Sequence, residues 1–217
     1  LWVSTSIMDG GNQSNAGATP PYFNAIEREI LGISEPEVIS SSGVYSLEPI
    51  HKEGQVYRID TDVEDEYFLL ECRAEEGWDA YIGGSGLLVY HIDKTSRNAG
   101  YSDSYARDLS ADLRWTLYNE VNCRPDHQCA DLLEAVPGAA SVRNVFFPVS
   151  GSDSIDEDRF VSWNGENGAF ALTGIHMEED RVVFDVIGGS AGLPPEPVDI
   201  SHEKFQDAAI ISFKSNV

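Results

Sequence analysis

The 217-residue chain is short of positive charge, of cysteine and of long apolar runs, and each shortage excludes a class of reading. Fourteen lysines and arginines stand against 37 aspartates and glutamates, a formal net charge of −23. Such a surface repels polyanions, so nucleic acid and anionic membrane are excluded as partners. No stretch reaches the roughly 18 to 20 continuous apolar residues of a membrane-crossing helix, and no span is expected. A nucleophile elbow of the form Gly-x-Ser-x-Gly is also missing. Gly83-Gly84-Ser85-Gly86 is only a fragment of one, lacks the lysine of a phosphate loop, and reads as a turn. Leu1 is not a Met, and nothing behind it resembles a signal peptide, so the numbering is expected to begin inside a longer gene product.

There are three cysteines. Cys123 and Cys129 are close enough in sequence to close a small disulfide loop, which would leave Cys72 as a buried thiol in an apolar strand. The acidic surplus suits an extracellular protein that binds calcium, or serves solubility alone.

Leu1 to Pro20 is rich in Gly, Asn, Ser and Thr and reads as a structured loop around Ile7-Met8-Asp9-Gly10-Gly11. After Pro20-Pro21, the helical spacing of Phe23, Ile26, Ile30 and Leu31, with Gly32 at the C-cap position, predicts one clear helix near the N-terminus. Strand patterns follow at Val44 to Leu47, Val56 to Ile59, Tyr67 to Cys72 and Leu87 to Ile92. Tyr67-Phe68-Leu69-Leu70 and Leu87-Leu88-Val89-Tyr90 are apolar without alternation, as in strands covered on both faces, and should form the centre of the core. Asn98 to Arg114 resists assignment, and Cys129 to Val136 is expected to form a short helix turning Leu132 and Leu133 inward. Strand patterns resume at Phe146-Phe147, Phe160 to Trp163, Ala169 to Ile175 and Val182 to Ile187, with turns at Asn164-Gly165 and Asn167-Gly168. The expected fold is α+β, mostly antiparallel β. Residues 1–189 form one domain, 190–197 a Pro-rich linker, and 198–217, with a strand at Ala209 to Phe213, the start of an incomplete β-sandwich.

Several pieces, in order, resemble the immune inhibitor A family of secreted bacterial zinc metallopeptidases. They are Trp2 with Ser6-Ile7-Met8-Asp9-Gly10-Gly11, Pro20-Pro21 before a helix ending Glu29-Ile30-Leu31-Gly32, and Glu66-Tyr67-Phe68-Leu69-Leu70-Glu71-Cys72-Arg73. They continue with Gly77-Trp78-Asp79, Gly86-Leu87-Leu88-Val89-Tyr90-His91-Ile92-Asp93, and Val121-Asn122 leading to Asp131-Leu132-Leu133-Glu134-Ala135. The resemblance runs from about Trp2 to Ile187 and implies the C-terminal lobe of a catalytic domain. In that family two histidines of a His-Glu-x-x-His helix hold zinc and the glutamate is general base. None of the five histidines here has a partner four positions on, and after His202-Glu203 position 206 is Gln206. The zinc ligands and the catalytic residues are therefore expected outside this chain.

Met8 is the residue the resemblance singles out, as a methionine turn giving the metal cage an apolar floor; otherwise it is a gap-filling core residue beside a Gly-Gly turn. Calcium could be held by the acidic loops at Asp60 and Asp62 or at Asp153, Asp156 and Asp158, which otherwise are solvated loops. His91 and Asp93, two apart on a strand, share a face and form a candidate His-carboxylate pair. Cys123, His127 and Cys129 supply too few ligands at unsuitable spacing for a zinc knuckle. The expected whole is a secreted or cell-surface zinc metalloendopeptidase acting on protein or peptide, this chain alone being inactive. A fragment still associated with a missing N-terminal half would expose a large apolar patch. The alternative is a secreted, non-catalytic β-sandwich module binding protein or glycan, with which four tryptophans and acidic loops are compatible.

Overall fold

The computed structural model describes residues 3–52, 54–138, 141–149, 151–165 and 170–188, and the backbone of 201–205 and 208–212. Trp2, the Asn167-Gly168 turn and the 190–197 linker lie outside the described residues. A five-stranded sheet has the order β1 (Glu37–Val38), β3 (Tyr57–Asp60), β4 (Glu66–Arg73), β5 (Gly86–Asp93) and β8 (Ala130–Leu132). A three-stranded sheet has the order β2 (Gly43–Leu47), β10 (Arg181–Gly188), β9 (Phe170–Glu178). Two hairpins complete the set: β6 (Asn98–Ala99) with β7 (Arg107–Asp108), and β11 (Ser201–Phe205) with β12 (Ala208–Ser212). Of these pairings β1 with β3 is parallel and the others are antiparallel. The fold is α+β and mostly antiparallel.

The two uninterrupted apolar runs are the paired central strands. β4 and β5 run antiparallel over their full length, from Glu66 opposite Asp93 to Arg73 opposite Gly86. Because side chains alternate, β4 sends Phe68, Leu70 and Cys72 into one core and Tyr67 and Leu69 into another. The first core lies against the three-stranded sheet through Leu172, Ile175, Val182 and Phe184. The second is covered by Ala25 and Ile26 of the helix, by Trp115 and by Phe146.

Helix α1 (Ala25–Ile30) is short and held at both ends. Asn24 accepts a hydrogen bond from the Glu27 amide, and the Glu27 carboxylate accepts one from the Asn24 amide, so two orphan donors are satisfied reciprocally. At the other end Ile33 donates to the Arg28 carbonyl and Gly32 to that of Glu29, with Gly32 at φ +66° as the expected C-cap glycine.

Three expectations are corrected. Cys129 to Val136 is not a helix: Ala130 and Leu132 pair with Ile92 and Tyr90 as β8. Leu132 and Leu133 point into opposite cores, which a strand does and a short amphipathic helix does not. Phe146-Phe147 is not a strand but a single bridge from Phe147 to Leu87, and Phe160 ends a 3-10 turn (Glu157–Arg159). The unassigned stretch from Asn98 holds the β6–β7 hairpin and leads into a π-helical turn (Leu113–Tyr118) closed by Asn119 at φ +51°.

Arg73 and Asp79, both without exposed surface, form a two-pronged ion pair at 2.8 and 2.6 Å. Arg73 also donates to Glu71 and to the carbonyls of Thr5 and Tyr22, each at 3.1 Å. Glu71 accepts from Tyr90 Oη and from the Ala25 amide, both at 2.7 Å. One guanidinium thus fastens the N-terminal loop, the start of α1 and the Gly77–Asp79 turn to the sheet. Removing one partner of a buried pair leaves the others charged and unpaired. Arg73→Met should therefore destabilise the chain by about 3 to 5 kcal/mol in urea unfolding. Lys52→Ala, which breaks surface pairs to Glu76 and Asp180, should cost no more than about 1 kcal/mol.

Candidate functional site

Two features stand apart from the packed core, and both involve the segment between the π turn and β8. The first is an open groove of about 620 Å³ lined by Met8, Phe23, Ile30, Leu31, Trp115 and Val121 among others. Its near wall is the Met8 loop. Ser6 Oγ donates to Glu27 Oε1 at 2.6 Å, and the Met8 amide donates to the same oxygen at 3.2 Å. The carboxylate that caps α1 therefore also fixes this loop. Gly11 is obligatory in it, since a Cβ there would lie 2.4 Å from the Ser6 carbonyl oxygen. The backbone is held while the Met8 side chain is 70% exposed. Phe23, Ile30 and Leu31 are also exposed along the groove.

The second feature is a cluster around the Trp163 ring. His91 and Asp93 both belong to it, yet they do not pair with each other. His91 Nε2 lies 2.8 Å from Glu66 Oε1, an oxygen that also accepts the Trp163 amide at 2.6 Å. Asp93 Oδ2 lies 2.6 Å from His127 Nε2, while Oδ1 accepts the Thr95 amide and hydroxyl at 2.7 and 2.6 Å. Trp163 stacks on His127 at 4.1 Å and on His91 at 6.0 Å. Burial pushes the Asp93 carboxyl up, but the hydrogen bonds from Thr95 and His127 outweigh it and hold its pKa below the usual value.

Asp93, His127 and Cys129 have ligand atoms within 4.8 Å of one another and are the group of three that could hold a metal among the described residues. Asp60 instead pairs with Arg58, Asp62 is exposed, and Asp153, Asp156 and Asp158 are exposed. Neither acidic loop gathers three ligand groups. The disulfide expected between Cys123 and Cys129 is not formed. All three cysteines are free thiols, with Cys129 Sγ 3.4 Å from the Arg114 guanidinium and Cys123 Sγ 3.4 Å from the Glu120 carbonyl. Burial pushes the Cys72 thiol up to about 12.

No sequence signal marks Glu27, Glu66 or Trp163 as members of these sites, and His127 stands out in the sequence only beside its neighbouring cysteines. No local spacing links His127 to a carboxylate 34 positions away.

Two outcomes follow. In native protein a thiol reagent should modify Cys123, which is partly exposed, with Cys72 and Cys129 reacting only on unfolding; mass spectrometry of the labelled peptides reads this directly. The lowered Asp93 pKa means a stabilising contribution fully present above about pH 3.9 and lost as pH falls through the lower folded value. The gap between wild type and Asp93→Asn in urea midpoint should accordingly close in that acid range.

Compared with known proteins, the chain matches no protein-family model, no curated protein and no solved structure.

Proposed function

We propose that this chain is the C-terminal lobe of a secreted zinc metalloendopeptidase of the immune inhibitor A type, hydrolysing peptide bonds with a zinc helix supplied by a part of the protein outside these residues. The observation that carries the reading is the Met8 loop. A gap-filling core methionine is buried, whereas Met8 is held by its backbone and left 70% exposed on an apolar groove. That is what a methionine turn needs before the metal-bearing part covers it. The donor chemistry suits a floor, because a thioether is apolar and only weakly accepting.

Zinc would supply a bound water made nucleophilic near neutral pH and a Lewis acid for the scissile carbonyl. The residues of this chain position and exclude water. Glu27 fixes the loop by accepting from Ser6 and Met8, and Phe23, Ile30 and Leu31 form an apolar wall for substrate side chains or for the covering half. The exposure of these apolar residues is compatible with a fragment separated from its partner half. A non-catalytic module would use the same groove to bind an apolar segment.

Native mass spectrometry of the protein purified from its source, with an assay on an unfolded protein substrate, separates the readings. A mass well above 23.8 kDa with one zinc and substrate cleavage is expected. A 23.8 kDa species with no zinc and no cleavage would leave the binding module. In the 217-residue chain alone, peroxide should oxidise Met8 ahead of the part-buried Met177, and the covering half should slow it.

A further inference from the structure

The geometry points to a second metal site in this protein: Asp93 Oδ2, His127 Nε2 and Cys129 Sγ bind one divalent transition-metal ion of the zinc class, on the loop that builds the far side of the groove. The site is independent of the peptidase reading and of the zinc that reading places outside the chain.

Three observations carry it. First, oxygen, nitrogen and sulfur donors from separate stretches of chain converge, all within 4.8 Å of one another. Around a tetrahedral zinc, bonds of about 2.0 to 2.3 Å place ligand atoms roughly 3.3 to 3.6 Å apart. Opening the 2.6 Å Asp93–His127 contact by under about 1 Å and drawing Cys129 in by at most about 1.5 Å reaches that spacing.

Second, the ligands are aimed. Thr95 and the Ser96 amide occupy Asp93 Oδ1, leaving Oδ2 toward His127, and the Trp163 ring lies on the imidazole face. Orientation by a surrounding shell of this kind is what metal-ligating carboxylates and imidazoles receive.

Third, Arg114 has no exposed surface, and its hydrogen-bond partners are the carbonyls of Ser96, Glu120 and Val121 together with Cys129 Sγ. No carboxylate is among them. The guanidinium fixes the sulfur's position from 3.4 Å away, and the bound ion would draw the thiol to the thiolate that ligates metal. Two anionic ligands and a neutral imidazole balance a divalent ion. The thiolate selects zinc or cobalt over calcium or magnesium. His127 is a third exposed at its side chain, so the site lies within reach of solvent.

Because Cys123 and Gln128, which bracket His127, line the groove, the ion would staple that wall to the end of β5.

The test titrates the metal-stripped 217-residue chain with Co²⁺ under reducing, anaerobic conditions. One ion per chain with a near-ultraviolet thiolate-to-cobalt band, displaced by Zn²⁺, is expected. Cys123→Ser should retain the band and Cys129→Ser should abolish it. His127→Gln, at a partly exposed position, should weaken binding by at least the roughly 10- to 100-fold that losing an orienting partner costs. Folded wild-type chain that shows no such band overturns the site without recourse to a variant. So does a band that survives Cys129→Ser, or one that His127→Gln leaves at full affinity.

Discussion

A guanidinium without exposed surface persists only where anions and carbonyls surround it, and most of what positions this chain's surface features follows from how Arg73 meets that condition. Its partners come from the strand that carries it, the Gly77–Asp79 turn, the loop before α1 and the N-terminal loop. Burying a charge this deeply makes a poor source of net stability compared with apolar packing. What it supplies is registration, since the loops have one arrangement that satisfies all five donors. Tyr90 and the Ala25 amide, joined to Glu71, extend the constraint across to β5 and into the helix.

From that anchor the groove and the Trp163 cluster follow on either side of the central strand pair. α1 is only six residues long and has little intrinsic stability, so its position depends on the capping box and on Glu71 beneath it. Glu27, which closes the box, holds the Met8 loop with its other oxygen. At the opposite end of the strand pair Glu66 and Asp93 face one another in register, and each carries a histidine partner toward Trp163. The β4–β5 ladder therefore carries the apolar groove over one face and the polar, titratable cluster on the other at its Glu66–Asp93 end.

The fold was legible where the pattern is local. Unbroken apolar runs marked β4 and β5, and Gly32 marked the helix end, because burial on both faces and a left-handed cap each leave a signature within a few residues. The helix expected over Cys129 to Val136 failed because adjacent leucines look the same whether they share a face or split two cores, and only the neighbouring Tyr90 and Ile92 decide. The sites were less legible still. His91 and Asp93 were recognised as chemistry-bearing, but their partners, Glu66 and His127, depend on strand register and on a loop returning from elsewhere in the chain. Trp163 meets Glu66 across 97 positions, a relation no spacing rule contains.

The edges of the two sheets bear on how the protein behaves in company. β1 and β8, which flank the large sheet, are two and three residues long, too short to template a strand from another molecule. β9 is nine residues long and would be the exposed edge of the small sheet. Residues Asp153 to Ile155 lie along it instead: Ile155 exchanges hydrogen bonds with Leu172, and Ile175 donates to the Asp153 carbonyl. What stays open on β9 beyond that cover includes His176 and Glu178, polar groups that a docking strand would have to desolvate. The margins formed by β1, β8 and β9 thus offer little to a docking strand, whereas the apolar groove stays open to a partner.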